Sequence, residues 1–393
     1  MNNVSPVKVT LIAVSVLSVM VGNVVSPALP SIERAFADTD HVRLLSQLVL
    51  TMPALLVVLW APLAGAISDR FGRKRLLLLA LALFSGAGVS SFFVDSLAAI
   101  LVGRAFVGLA VAVTMTTATA LIGDYYQGVE RARLLGVQSA SNTALAVFCL
   151  PLGGYLSGFG WRYPFLLYVL PAFVLVLAAR YLYEPDKTSP VTGPGAGSLP
   201  VPGFLTVVLG IALISHTVMS AVPLQIPFYL TERFAVGGVG IGFSIAAATG
   251  ASTLSSLCYG SLKDRLSYTA LVSIAQFLIA AGFGLVGLAS GVAWVVAGLA
   301  MIGAGAGIML PAFNHWLSDV ASQRNRGKLL GALTTILFLG QFIAPLFFTP
   351  LLAWLSYPLF FFVLAAVLVV LGASCVGLST FLTRATDKIA ASR

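Results

Sequence analysis

Two side chains able to carry a charge or a proton fall inside long apolar stretches of this 393-residue sequence. Arg104 is a cation in an otherwise apolar run, where a charge is costly and commonly faces a partner or a cavity. It either acts on an anionic ligand or a proton site, or extends toward the lipid headgroups. His216 lies at the centre of another apolar run, and an ordinary histidine pKa of about 6.5 suits proton exchange. The alternative for His216 is a structural hydrogen bond.

The other chemistry-bearing residues exclude several classes of function. No Asp or Glu falls in the middle of a predicted membrane span, so the pattern lacks a buried carboxylate for proton transfer. Cys149, Cys258 and Cys375 lie far apart in apolar stretches, which predicts neither a disulfide nor a metal site. The sequence has no phosphate-binding loop, metal-binding triad or nucleophile turn. We therefore expect no enzyme activity, no cofactor and no ATP-driven pumping.

Uncharged polar and methionine side chains along the apolar segments are candidates for lining a solute path. Amides supply hydrogen bonds and thioethers supply adaptable apolar surface, a mixture suited to an amphiphilic ligand. The same amides also hold neighbouring membrane helices together, and that interpretation stays open for each residue. Together with Arg104 and His216, the candidates for the substrate and proton pathway are Asn23, Met115, Gln138, Asn142, Met219, Gln225 and Gln341.

The elements that must position these residues are membrane helices. The chain is 59% hydrophobic and 9% charged, whereas soluble domains carry about 25% charged residues. A helix needs about 20 apolar residues to cross a bilayer, and long apolar runs in hydrocarbon must pair their own backbone groups. We therefore predict an all-α integral membrane protein. The twelve predicted spans are residues 7–29, 44–66, 75–93, 97–120, 134–158, 163–183, 203–230, 239–262, 268–289, 292–314, 328–354 and 358–382.

The basic residues are distributed unequally between the two sides of the predicted membrane. With the N-terminus in the cytoplasm, seventeen Lys and Arg residues lie inside and four lie outside. This is the positive-inside pattern. The net charge of +9 therefore reports topology and not a nucleic-acid partner. We predict a multi-pass protein of the bacterial inner membrane with both termini cytoplasmic.

Two short motifs recur at one offset of 195 residues. Residues 65–70 after predicted helix 2 match residues 260–265 after helix 8, and residues 131–136 before helix 5 match residues 326–331 before helix 11. Two matches at one offset indicate an internal duplication. The predicted units are a first six-helix bundle at 1–183, a Pro- and Gly-rich cytoplasmic linker at 184–202 and a second six-helix bundle at 203–393.

The loop between predicted helices 2 and 3 reads Gly65-x-x-x-Asp69-Arg70-x-Gly72-Arg73-Lys74-Arg75. It resembles the signature of the major facilitator superfamily, and the resemblance covers the whole chain. Arg104 with Gly108, and the segment 27–30, are similar to the twelve-helix drug/proton antiporter branch. The helix 5 sequence 149–154 departs from that branch, because its proline is displaced by one position and a glycine is missing. The resemblance implies two bundles related by pseudo-twofold symmetry that move a solute by alternating access.

The resemblance implies that the loop signature serves as a conformational latch on the cytoplasmic side. An aspartate there can accept hydrogen bonds at a helix N-terminus, and Gly72 permits a tight turn. The resemblance implies that Asp124, at the end of helix 4, pairs with Arg73. The alternative is that the basic residues only fix topology. The predicted latch comprises Gly65, Asp69, Arg70, Gly72, Arg73, Asp124, Asp264 and Arg265.

Together these features predict a secondary active transporter that exports small amphiphilic compounds, such as drugs or an endogenous metabolite, in exchange for protons. The alternative is a transporter of an anionic solute, such as a siderophore or organic acid, recognised by Arg104. The expected partners are the small-molecule substrate, protons and the lipid bilayer. We expect the protein to be a monomer.

Overall fold

The computed structural model describes residues 5–185, 202–322 and 325–377. Within those ranges the regular structure is helical, with no strand. Short 3₁₀ segments span Ser26–Ala28 and Tyr163–Val169. The α-helices are α1 (Pro6–Asn23), α2 (Leu29–Ala35), α3 (Val42–Phe71), α4 (Arg73–Phe93), α5 (Leu97–Tyr125), α6 (Gly128–Ser157), α7 (Leu170–Tyr181), α8 (Pro202–Met219), α9 (Ala221–Phe234), α10 (Gly238–Lys263), α11 (Tyr268–Gly287), α12 (Val292–Val320), α13 (Arg326–Trp354) and α14 (Tyr357–Gly377).

These helices form twelve segments, among the described residues, that are long and apolar enough to cross a membrane. The predicted all-α fold with twelve spans is therefore confirmed. Several predicted ends are wrong, because the first segment continues to Ala35, the fourth to Tyr125, the seventh to Phe234 and the tenth to Val320, and the fifth begins at Gly128. Hydropathy falls at the membrane boundary, whereas a helix ends where its backbone hydrogen bonds end. Glu33 and Glu232, expected just beyond these helices, lie inside them.

The chain divides into two compact units. The first unit contains Met1–Ser189 and Pro223–Phe243, and the second contains Pro190–Val222 and Ser244–Arg393. Hence most of α9 and the start of α10 belong to the first unit, although they follow the predicted linker in sequence. Most of that linker, residues 186–201, lies outside the described residues. The proposed division into bundles at 1–183 and 203–393 stays a prediction.

In the first unit, α5 packs against α3 and α4. Glycines on α5 and α4 determine how closely neighbouring groups approach these helices. A Cβ atom at Gly108 would lie 2.5 Å from the carbonyl oxygen of Pro53 on α3. A Cβ at Gly88 on α4 would lie 2.3 Å from the ring of Tyr168. Small residues let membrane helices approach backbone to backbone. The absence of a side chain at Gly108 therefore lets the backbone of α3 approach α5, and its absence at Gly88 makes room for the ring of Tyr168.

The altered helix 5 motif also serves close packing in the first unit. A Cβ at Gly153 would lie 2.3 Å from the carbonyl oxygen of Val24, and one at Gly154 would lie 2.0 Å from that of Gly238. The two consecutive glycines of α6 thus allow the end of α1 and the start of α10 to approach the backbone of α6 closely.

Glycines also allow close packing of helices in the second unit. Helix α11 packs against α12 and α14, and α8 packs against α13. A Cβ at Gly303 on α12 would lie 1.9 Å from the carbonyl oxygen of Ala248, and Gly282 and Gly298 face each other across α11 and α12. The glycines of this unit are therefore packing positions within helices.

Replacing Gly108 by alanine tests the close approach of α5 to α3. The new methyl group would collide with the backbone of Pro53, and overpacking of this kind costs about 1–3 kcal/mol. We expect a lower midpoint of thermal unfolding for Gly108→Ala in detergent micelles. Gly86→Ala is the matched control, because no atom lies within 4 Å of its added Cβ. Equal midpoints for the two variants would contradict the packing described.

Candidate functional site

The guanidinium of Arg104 is wholly buried in the first unit and is bonded to backbone carbonyls. Its Nε donates to the carbonyl oxygen of Val49 on α3 at 2.8 Å, and Nη2 donates to that of Val21 on α1 at 2.8 Å. Nη1 donates to the hydroxyl of Tyr168. Arg104 therefore joins three other segments of the unit at one point.

Both carbonyls accept from Arg104 because their own helices do not use them. The helical donor for Val49 would be residue 53, which is a proline and has no N–H. The helical donor for Val21 would be Val25, whose N–H bonds to Gly22 instead at 3.2 Å. An unpaired carbonyl costs several kcal/mol in hydrocarbon, where no water replaces the lost bond. Arg104 satisfies both acceptors.

Tyr168 completes the arrangement from the 3₁₀ segment Tyr163–Val169. Its hydroxyl accepts from Arg104 and donates to the carbonyl oxygen of Val21 at 2.9 Å. The guanidinium carbon lies 5.2 Å from the centre of the Tyr168 ring, within range of a cation–π interaction. The ring fits because Gly88 has no side chain.

The position of Arg104 excludes one of its two sequence-based interpretations. The side chain is 0% exposed and turns into the unit, so the interpretation in which it extends toward headgroups is wrong. Its charge is stabilised by carbonyl dipoles, a hydroxyl and an aromatic face. Its participation in substrate or proton transfer stays a prediction.

The other predicted pathway residues lie in both units. Asn23, Met115, Gln138 and Asn142 are partly exposed in the first unit, and His216, Met219 and Gln341 are partly exposed in the second. Asn23 donates to the carbonyl oxygen of Val19 on its own helix at 2.9 Å. Asn142 Oδ1 is buried without a hydrogen-bond partner in the part of the chain that the structure describes.

Gln225 pairs with another polar side chain inside the first unit. It lies on α9, and its Nε2 donates to Oε1 of Gln47 on α3 at 3.1 Å. Both side chains are 0% exposed. Gln225 therefore contributes to attaching α9 to the first unit, in line with the helix-pairing interpretation.

The loop between α3 and α4 has the geometry expected of the latch motif. Gly72 separates the two helices with φ of +96°, a conformation that favours glycine. Arg73 forms an ion pair with Asp124 at the end of α5. The predicted Arg73–Asp124 pair is therefore confirmed.

Glu184 is a member of this site that sequence reasoning missed. Its carboxylate accepts from the backbone N–H groups of Arg73 and Lys74, the latter at 3.1 Å. A carboxylate at a helix N-terminus is stabilised by the helix dipole and by the unpaired N–H groups. Lys74 also donates from Nζ to the carbonyl oxygen of Ala179 on α7 at 2.9 Å. The end of the sixth span is thereby attached to the start of α4.

The remaining predicted latch residues are Gly65, Asp69, Arg70, Asp264 and Arg265. Arg70, Asp264 and Arg265 are exposed, and a Cβ at Gly65 would meet no atom within 4 Å. The side chain of Asp69 lies outside the described part of the structure. The latch role of these residues stays a prediction.

Substitutions at Arg104 and Tyr168 test the carbonyl pairing. Arg104→Ala removes the donor to the Val49 carbonyl and one of the two donors to the Val21 carbonyl, which keeps the Tyr168 hydroxyl. A buried group left unpaired costs about 1–3 kcal/mol. We expect a large fall in the midpoint of thermal unfolding and in folded yield, and a smaller fall for Tyr168→Phe.

The control for Tyr168→Phe is Tyr163→Phe, which removes a hydroxyl from an exposed tyrosine. We expect that control to unfold at the midpoint of the unsubstituted protein. If Arg104→Ala unfolds at the midpoint of the unsubstituted protein, the freed backbone carbonyls do not need Arg104 as a donor.

A double-mutant cycle tests the Arg73–Asp124 ion pair. Contacting residues typically couple by about 0.5–3 kcal/mol, so Arg73→Gln and Asp124→Asn should each destabilise the protein, and the double variant should lose less than their sum. The backbone bonds of Glu184 are unaffected by either change. Thermal unfolding is the measurement, and Glu130→Gln, which removes the partner of Lys8, is the control. Simple additivity would rule out a direct interaction.

Comparisons with known proteins agree with the family resemblance in the sequence. The Tetracycline resistance protein, class G, of Vibrio anguillarum is 28% identical over 343 residues, covering 83% of this chain and 85% of that protein. The Bacillibactin exporter of Bacillus subtilis is 24% identical over 370 residues, covering 90% of this chain and 91% of that protein.

A solved structure shares the fold over almost the whole chain. The bacterial homolog of the human lysosomal transporter Spinster, in an inward-facing and occupied conformation, superposes with a TM-score of 0.75 at 18% sequence identity, covering 98% of this chain and 95% of that one. The model of the Major Facilitator Superfamily matches residues 11–345 and 208–392. With its twelve apolar segments and its loop signature, the chain belongs to the Major Facilitator Superfamily of membrane transporters.

Proposed function

We propose that this transporter exports small amphiphilic organic compounds in exchange for protons by alternating access. The observation that carries the proposal is the similarity to the class G tetracycline resistance protein over 83% of the chain. A transporter that confers resistance to a drug does so by moving the drug out of the cell. A path containing amides and methionines, without a buried carboxylate at mid-span, suits an amphiphilic solute.

A second candidate solute is a siderophore or another organic anion. The similarity to a protein named for bacillibactin export, over 90% of the chain, favours it. Arg104 was the residue expected to recognise such an anion. Since its guanidinium is already bonded to two carbonyls and a hydroxyl, we assign recognition of an anion to other residues.

The proposed setting is the bacterial inner membrane, with both termini cytoplasmic and the protein acting as a monomer. The positive-inside distribution of Lys and Arg supports this orientation. The loop at residues 71–73 then faces the cytoplasm. We propose that the Arg73–Asp124 pair and Glu184 belong to the cytoplasmic latch that the loop signature implies.

Proteoliposomes with an acidic lumen test the exchange of solute for protons. Tetracycline or ethidium is added outside, and solute uptake and luminal pH are recorded together. We expect protein-dependent uptake accompanied by a rise in luminal pH, and loss of both when nigericin collapses the gradient.

Protein-free liposomes are the control, because weak bases redistribute across a pH gradient without a carrier. Movement of solute and protons in the same direction would contradict antiport. Failure of every amphiphilic probe, together with transport of a siderophore, would favour the second candidate.

A further inference from the structure

The internal duplication of the sequence is also present in the helix contacts within each unit. Helix α12 begins and ends 195 residues after α5 does. A Cβ at Gly108 on α5 would lie 2.5 Å from the carbonyl oxygen of Pro53 on α3, and one at Gly303 on α12 would lie 1.9 Å from that of Ala248 on α10. Both members of the second contact stand 195 residues after those of the first. Each unit therefore uses a glycine to bring equivalent helices together.

A second contact repeats at the same offset. A Cβ at Gly103 on α5 would lie 3.2 Å from the carbonyl oxygen of Ala87 on α4, and one at Gly298 on α12 would lie 2.7 Å from that of Gly282 on α11. These pairs are again 195 residues apart. Positions in α3, α4 and α5 therefore correspond one to one with positions in α10, α11 and α12 where these helices cross.

The two crossings differ at the positions of Pro53 and Arg104. The second unit has Ala248 and Leu299 at the corresponding positions. Leu299 is 0% exposed, as Arg104 is. Ala248 has the backbone N–H that Pro53 lacks, so the carbonyl four residues before it can keep its donor within the helix. At this crossing the second unit has changed both the proline that frees a carbonyl and the arginine that satisfies it.

We propose that Pro53 and Arg104 are a compensating pair, in which the arginine serves the carbonyl that the proline frees and becomes dispensable when the proline is replaced. Arg104 is then a positioning residue, which acts on transport through the backbone of α1 and α3. It neither binds the solute nor carries the proton, and it leaves the predicted substrate and proton pathway. The second unit contains the form of this crossing without arginine.

The hydrogen bonds of the first unit allow both residues to be replaced together. In Pro53→Ala/Arg104→Leu, an alanine at position 53 supplies the N–H that the Val49 carbonyl lacks. The carbonyl of Val21 keeps the hydroxyl of Tyr168 as its donor, at 2.9 Å. The three groups bonded to Arg104 are two carbonyls and a hydroxyl, all of them neutral. Removal of the guanidinium therefore leaves no buried anion behind, and each freed carbonyl retains a donor.

Thermal unfolding of the whole protein in detergent micelles tests the pair. We expect Arg104→Leu to lower the unfolding midpoint strongly, because the Val49 carbonyl then loses its donor. Pro53→Ala should unfold close to the parent, because a carbonyl oxygen has two lone pairs and can accept from both the helix and Arg104. The double variant should recover at least half of the fall caused by Arg104→Leu.

The matched control is Pro62→Ala/Arg104→Leu. Pro62 lies further along the same helix and frees a different carbonyl, so its replacement should recover none of the fall. If Arg104→Leu yields no folded protein, the measurement is the yield of monodisperse protein, which Pro53→Ala should restore and Pro62→Ala should not. A double variant no more stable than Arg104→Leu, or equal recovery by Pro62→Ala, overturns the proposal.

The transport measurement rests on the proposed exchange for protons. Ethidium uptake and luminal pH are recorded in proteoliposomes with an acidic lumen. Pro53→Ala/Arg104→Leu should take up ethidium with the pH dependence of the parent and the same rise in luminal pH for each ethidium moved. A folded double variant without gradient-driven uptake overturns the proposal, because Arg104 would then act on the solute or the proton. If the parent shows no gradient-driven transport, the proposed function fails, while the unfolding midpoints still decide whether the two residues compensate each other.

Discussion

The structure of the first unit depends on the pairing of backbone carbonyls that prolines and a 3₁₀ turn leave without a helical donor. A bilayer supplies no water to an open carbonyl, so a carbonyl freed by a proline or a 3₁₀ turn within a span needs another donor. Arg104 and Tyr168 supply donors to Val21 and Val49. Ser26 supplies one to Pro223, whose helical partner would have been Pro227. The carbonyls left free in α1, α3 and α9 are therefore paired by donors from neighbouring segments.

These lateral bonds connect Arg104, the break after α1 and α9. The break after α1 accepts from Arg104 through Val21, and a few residues later it donates to α9 through Ser26. The glycines follow the same breaks, since Gly108 meets Pro53 and Gly153 meets Val24. The break of the first span is therefore bonded both to α9 and to Arg104. Lateral hydrogen bonds and close glycine contacts therefore occur at the same interruptions of the helices.

The sequence predicted the helices well and their partners poorly, for physical reasons. Hydropathy identifies apolar runs, and all twelve are present. It does not identify helix ends, so the placement of Glu33 and Glu232 within helices was missed. The Arg73–Asp124 pair was found because the family resemblance connects two distant positions. Glu184 was missed because its partners are N–H groups more than a hundred residues away.

For Arg104, the sequence indicates that a charge is buried but not which groups stabilise it. The cost of burying a charge marks the residue, but the sequence does not show which groups stabilise it. Pro53 does mark the carbonyl of Val49, four residues earlier, as an acceptor without a donor. Matching an unpaired carbonyl to a buried donor would have favoured a positioning role over anion recognition. The match still requires the fold, because Val49 and Arg104 are joined only when α3 and α5 pack.

The pairing of Arg104 with freed carbonyls is tested most directly by measuring its distance to Val49. Solid-state NMR of the protein in lipid bilayers, with ¹⁵N-labelled arginine and ¹³C-carbonyl-labelled valine, gives that distance from dipolar dephasing. Arg104→Lys identifies the signal. We expect a contact between Arg104 Nε and the Val49 carbonyl that corresponds to a direct hydrogen bond, unchanged when tetracycline is added. The absence of that contact, or its loss on adding the drug, would contradict a structural pairing of Arg104 with the freed carbonyls.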